Sequence, residues 1–294
     1  MKMRGELILG LVLTAGLAMG CGSGKKAQEA FTEDDGVFAY KVGQFEVYTL
    51  VDAQREGSAE ILVGVDDELL QQYIPESGFM HSTNAFLIKT PEQNILVDTA
   101  FGGSIFEKAQ KLGVEPEQID TVLITHLHGD HFSGLQKDGE ATLPNAKIYL
   151  AAGEYTYFTE TQVNEAAVAA LALYEVITFE PAELGSTLVE IIPGISPIAA
   201  YGHTPGHTIY MVENSGSQLI IAGDFLHVGL VQFALPNISA TYDMDKAAAA
   251  AVREQILDYA AQNKIPVGGM HIVYPGVGTV TANDEGGFSF APLK

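Results

Sequence analysis

Residues 125–134, Thr-His-Leu-His-Gly-Asp-His-Phe-Ser-Gly, place three imidazoles and a carboxylate close together, at His126, His128, Asp130 and His131. Side chains so near in sequence reach a common point only from a tight loop, and Gly129 and Gly134 offer the backbone freedom to build one. Neutral imidazole and carboxylate are ligands for a divalent cation. A local cluster is a partial site, so other elements must bring the remaining ligands.

Those elements are legible in the hydrophobic pattern. Phe45–Leu50 alternates as a strand, and Asp66–Ile74 has helical spacing that stops at Pro75. Asn84–Lys89 and Asn94–Val97 form a hairpin across a turn at 90–93, the second strand ending in Asp98. Ser104–Leu112 is predicted helical, and Thr121–Thr125 is a buried strand that runs straight into His126. After the strand Lys147–Leu150, helical spacing over Thr161–Tyr174 predicts a helical insertion at 152–184 lying over the sheet. Its crowded Tyr155, Tyr157 and Phe158 read as core or as pocket lining. Strands are expected at Thr187–Ile192 and Ile195–Tyr201, the latter leading to Gly-His-Thr-Pro-Gly-His at 202–207. A second hairpin, Thr208–Val212 with Gln218–Ala222, ends in Gly223-Asp224. A helix at Asp245–Gln262 and a last strand, Val267–Met270, lead to His271.

One logic recurs. A strand stops, and a metal-type residue stands at its end or soon after: Asp98, the His126 cluster, His207, Asp224 and His271. Strand ends on one edge of a sheet converge, so these distant residues can share a metal centre.

The order His126-x-His128-x-Asp130-His131, Thr204-Pro205-Gly206-His207, Gly223-Asp224, His271 resembles the metallo-β-lactamase superfamily, across almost the whole chain beyond its first residues. The resemblance implies an α/β (α+β) fold, a four-layer αββα sandwich. It assigns His126, His128 and His207 to one metal, Asp130, His131 and His271 to the other, and makes Asp224 the bridge. Zinc suits this set, and iron, manganese or cobalt occupy similar shells. Asp98 is expected to orient a ligand histidine, and His203 to be structural.

The stretch 223–237, with GHTPGHT and HIVYPGVG, is similar to the methyl parathion hydrolase branch, to which the N-acyl-homoserine lactonases are close. Those lactonases typically carry tyrosine three residues after the bridging aspartate, whereas this chain has His227. The implied activity is hydrolysis of ester-like bonds (carboxyl ester, lactone or organophosphate triester) by a hydroxide bridging two divalent ions. Asp130 is the expected proton relay and His227 the expected substrate contact. His81 is a candidate for the mouth of the site, and Phe79, Phe106, Tyr155, Phe158, Val228 and Phe233 for its apolar walls. Two other readings are a quorum-quenching N-acyl-homoserine lactonase and a non-catalytic metal-binding surface lipoprotein. Thioester hydrolysis of the glyoxalase II type is disfavoured, because Lys294 stands almost alone near the C-terminus.

The 37 acidic against 15 basic residues give a net charge of -22, which disfavours nucleic acid and anionic lipid as partners. The partner expected instead is a small ester-like molecule, and the sequence leaves the oligomeric state open, a homodimer included. Lys2 and Arg4 followed by an apolar run to Met19 read as a signal peptide over 1–20. Leu-Ala-Met-Gly before Cys21 resembles a lipobox, which implies cleavage and lipidation there. Residues 21–36 then read as a tether and 37–294 as one catalytic domain, exported and held at the periplasmic face of a bacterial envelope, with the outer membrane first, or at the cell surface. Cys21 is the only cysteine, so thiol ligands and thiol nucleophiles are excluded beyond it.

Overall fold

Along the central strands neighbouring residues go to different cores, and this alternation separates the molecule into layers. The structure, a computed structural model, describes residues 32–76 and 78–294. The predicted signal peptide, Cys21 and the tether as far as residue 31 lie outside the described residues. The rest of the predicted tether is folded: Glu33–Asp35 form a 3-10 turn boxed by Thr32 and Asp35, and Gly36 closes it at φ 61°.

The first sheet has seven strands: β1 Val37–Val42, β2 Phe45–Glu56, β3 Met80–Lys89, β4 Asn94–Val97, β5 Ile119–Leu123, β6 Lys147–Ala151 and β7 Glu175–Phe179, in spatial order β1-β2-β3-β4-β5-β6-β7. The second has six: β8 Ile195–Ala199, β9 Thr208–Asn214, β10 Ser217–Ile221, β11 Val267–Gly268, β12 Val277–Ala282 and β13 Phe288–Pro292, also in chain order. Phe86 and Ile88 of β3, Ile95 and Val97 of β4 and Leu123 of β5 meet Tyr210, Val212, Leu219 and Ile221 of β9 and β10 in the core between the sheets. The alternate residues Leu87, Leu96 and Val122 turn outward onto the helix Ile105–Lys111 and the short helix Glu165–Leu171. Ile209, Met211 and Ile220 turn outward from the other sheet onto Ile256, Leu257 and Ala260 of the helix Lys246–Asn263. The architecture is the expected αββα sandwich. Two strands are tied across it at the site, because Tyr210 Oη donates 2.7 Å to the Ile124 carbonyl.

Two expectations need correction. Residues 152–184 are not an insertion over the sheet: Glu175–Phe179 pairs in parallel with Lys147–Ala151, so the helices between them form a strand-to-strand crossover. Thr187–Ile192 is not a strand. Pro197 removes one donor from β8, and Ala182 already bridges that edge at Ile198, so the run meets β8 only in the single bridge Ile192–Ile195.

Candidate metal centre

The carboxyl ends of β4, β5, β8, β10 and β11 deliver Asp98, the 126–131 loop, His203, Asp224 and His271 to one place. Beyond β5, Ile124 to Leu127 are buried, and His128 precedes a single helical turn, Gly129–Phe132, which carries Asp130 and His131. Neither Gly129 nor Gly134 takes a positive φ, so backbone freedom is not their role. Gly134 is needed for space, since a Cβ there would lie 2.3 Å from the Thr99 carbonyl oxygen.

Four groupings of donor atoms form among the described residues; two of them, His203 with His227 and Asp243 and Asp224 with His227 and His271, overlap the others, and the remaining two share no residue. His126, His128, His203 and Asp224 make one, with His203 Nε2 standing 3.2 Å from His126 Nε2, 2.9 Å from His128 Nδ1 and 3.4 Å from Asp224 Oδ2. Asp130, His131 and His271 make the other: His131 Nε2 is 3.7 Å and His271 Nε2 3.6 Å from the Asp130 carboxylate. Asp224 reaches both, lying 3.2 Å from His131 through Oδ1 and 3.1 Å from His271 through Oδ2.

His207 is not part of either group, which corrects the sequence assignment. Its Nδ1 faces the Ala200 carbonyl at 2.9 Å and its Nε2 accepts the Asp224 N–H at 3.0 Å, so both ring nitrogens are spent inside the protein. Burial and the neighbouring His203 push its pKa down to about 3, which keeps the accepting nitrogen free of a proton. His207 holds the loop that carries the aspartate. Gly223 at φ 52° lets that loop pass, because a Cβ there would lie 2.5 Å from the imidazole. His203 takes the position expected of His207.

The outer nitrogens of three donor histidines are fixed. His131 Nδ1 is 2.7 Å from Asp98, His203 Nδ1 is 2.9 Å from Asp243 Oδ1, and His271 Nδ1 is 2.8 Å from the Ser82 carbonyl. Such partners hold a proton on the outer nitrogen and turn the Nε2 lone pair inward. Asp98 adopts φ 56°, a conformation costly to a non-glycine residue, and accepts from the Thr125 N–H and O–H at 2.8 and 2.7 Å. Glu154, fully buried, accepts from the Leu127 N–H, the Thr204 hydroxyl and the Gly206 N–H at 2.7–2.9 Å, which stitches the 126–131 loop to the 202–207 loop. Burial raises its pKa although all three donors pull it down.

Charge and orphaned atoms test whether a cation fits. Burial pushes His203 down, but the Asp224 and Asp243 carboxylates overcome it and raise its pKa to about 9; the same contest, with Asp224 and Asp130, raises His131 and His271. The pocket therefore calls for positive charge. His131 Nε2 and Asp224 Oδ1 are buried, 3.2 Å apart and without a hydrogen bond, each facing the space a cation would fill. Five imidazoles and two carboxylates match the donor chemistry of zinc and its neighbours.

A cavity of about 780 Å³ opens onto this cluster, lined by His128, Asp130, Asp224, His271, His81 and His227, with Arg55, Phe101 and Tyr242 on its rim. His227 Nε2 lies 3.2 Å from Asp224 Oδ2. None of the six expected apolar walls lines this cavity. Phe106 and Tyr155 pack onto the helix-side core, and Phe158 is in that core with its ring centroid 6.2 Å from that of His128. Phe79, Val228 and Phe233 line a separate groove that shares His227 and His271. Sequence reasoning missed His203, Asp243, Glu154, Arg55 and Tyr242. For His203 a signal existed: the other candidates follow strands, whereas His207 immediately precedes β9.

The chain belongs to the metallo-beta-lactamase superfamily, which it matches over residues 79–264. The relatives it matches there include lactonases and other hydrolases, and the chain spans little more than half the length of the first of them. An N-acyl homoserine lactonase of Bacillus cereus is 26% identical over 155 residues, 52% of this chain and 56% of that protein. The crystal structure of the hydrolase AbOPH, of the beta lactamase superfamily, superposes with a TM-score of 0.75 at 26% identity, over 88% of this chain and 98% of that one. AidC, a dizinc quorum-quenching lactonase solved with a product, gives 0.74 over the same shares at 23% identity, a likeness of fold.

Proposed function

We propose that this chain hydrolyses ester-like bonds, in a carboxyl ester, lactone or organophosphate triester, with two divalent ions, zinc before others. The observation that carries the reading is the pair of donor groups sharing Asp224 at the floor of one cavity. His126, His128 and His203 would hold one ion, Asp130, His131 and His271 the other. When bound, such ions polarise the scissile carbonyl or phosphoryl oxygen and make water acidic enough to act near neutral pH. The chain's own groups do the rest. Asp98 and Asp243 fix the tautomers of His131 and His203. Asp130 keeps its side chain 25% exposed towards the cavity, so one carboxylate oxygen can take or return a proton. His227 presents an imidazole to the substrate beside the Tyr242 ring, 5.6 Å away between centroids.

Metal content and turnover on p-nitrophenyl esters, lactones and phosphotriesters test the reading. Asp224→Ala is expected to lose both ions and all turnover. Wild-type protein that carries metal yet turns over none of the panel would instead be a metal-binding protein without this activity. The lactonase reading draws support from the Bacillus and AidC relatives. Ring opening of N-acyl-homoserine lactones, followed by proton release, decides it.

A further inference from the structure

Two side chains lining the cavity serve no structural partner. His81, on β3, is 8% exposed, and its buried Nδ1 has no hydrogen-bond partner. Its ring is fixed by packing alone, against His271 at 4.4 Å between centroids. The contrast with His131, His203 and His271 is informative, because each of those has its outer nitrogen tied to a carboxylate or carbonyl. A buried polar nitrogen left unpaired in a packed ring calls for an explanation, and a ligand group in the cavity provides one.

Directly across the β2·β3 ladder, Arg55 pairs with His81, and residues paired this way stand on the same face of the sheet. Both line the same cavity. Among the described residues the ion pairs that use Lys or Arg are Lys147–Glu175 and Arg253–Asp243, so Arg55 is in neither. In a chain with 37 acidic and 15 basic residues, a guanidinium without a carboxylate partner is a cation left available. Its planar fork matches a carboxylate in two parallel hydrogen bonds.

We propose that Arg55 and His81 form a subsite for an anionic group carried by the substrate some atoms away from the scissile bond. The proposal rests on the hydrolase reading and narrows it to esters or lactones whose acyl part bears a carboxylate. Contacts run outward from His271 to His81 and then to Arg55, so the anion lies at the rim while the bond to be cut lies over Asp224. Glu56 also borders the cavity, paired with Met80 one position along the strand, and restricts the anion to the side of Arg55 and His81.

The test compares p-nitrophenyl butyrate with p-nitrophenyl hydrogen glutarate on the metal-loaded full chain. Wild type is expected to show the lower KM for the carboxylated ester. Arg55→Gln should raise that KM roughly tenfold more than the KM for butyrate, the factor one charge-assisted hydrogen bond carries. His81→Phe, which keeps a ring on His271 and deletes both nitrogens, should act in the same direction with a smaller ratio. Calorimetric binding of glutarate and butyrate gives a readout without turnover: wild type prefers glutarate, and Arg55→Gln closes the gap. Equal KM changes on both esters, or a glutarate preference that survives Arg55→Gln, overturns the subsite. If wild type hydrolyses neither ester, the carboxyl-ester arm of the hydrolase reading falls, the lactones and phosphotriesters still test the rest of it, and the calorimetric comparison alone decides the subsite.

Discussion

Two histidines four residues apart in one loop, His203 and His207, are chemically identical and do opposite work. His203 points its Nε2 among His126, His128 and Asp224, while His207 gives both nitrogens to backbone groups. Removing His203 subtracts a donor, whereas removing His207 orphans the buried Asp224 N–H and Ala200 carbonyl. His203→Ala should therefore empty one ion from each chain and abolish turnover, its stability falling by the roughly 2.7 kcal/mol that the lost ion contributes. His207→Ala should lower the folding free energy by about 1–3 kcal/mol, the cost of buried groups left unpaired. Metal per chain and urea unfolding measure the two effects, and metal loss confined to His207→Ala would reverse the assignment. The residue types were legible from the sequence, as was the cluster at 126–131. The choice between two histidines depends on which end of a strand each one adjoins, and β8 and β9 had to be placed before that could be seen.

At the level of elements, local signals read well where one segment decides its own structure. Asp66 and Asp245 cap their helices through their side chains, as their positions before apolar-periodic runs imply. The 152–184 stretch was illegible for the opposite reason. Nothing local in Glu175–Phe179 says that it pairs with Lys147–Ala151, and its half-exposed pattern is that of an edge strand. That crossover carries Glu154 into the core beneath the site. Its carboxylate accepts three hydrogen bonds from two loops, and the two oxygens divide them, Oε1 taking Leu127 and Oε2 taking Thr204 and Gly206. Glu154→Gln must set an amide N–H₂ against at least one of these donors. The substitution is expected to cost about 2–4 kcal/mol and to weaken metal retention, since it loosens the loops bearing His126, His128 and His203 together. Chemical unfolding with parallel metal analysis tests this; a midpoint equal to that of wild type would show that the two loops hold without the stitch.

The whole molecule is a pair of sheets whose facing residues share one apolar core, and the donors are divided between them. His126, His128, Asp130 and His131 follow β5 of the first sheet; His203, Asp224 and His271 follow β8, β10 and β11 of the second. Each ion would thus be gripped from both sheets, and binding would close the sandwich at the end where the strands stop. Without ions the edge there gathers Asp98, Asp130, Asp224 and Asp243 around imidazoles that must take up protons to offset them. Free metal at about a hundred times its dissociation constant contributes roughly 2.7 kcal/mol per site, so two sites contribute about 5 kcal/mol. That is a large share of the 5–15 kcal/mol that holds a typical domain together. Chelation should therefore lower the thermal midpoint of the entire chain in one cooperative step, and added zinc should restore it in proportion to the logarithm of its free concentration. If chelated protein instead melted at the wild-type temperature, or lost one sheet in a separate transition, the ions would be bound to a scaffold that does not need them, and the coupling between the sheets would lie wholly in the core around Phe86 and Tyr210.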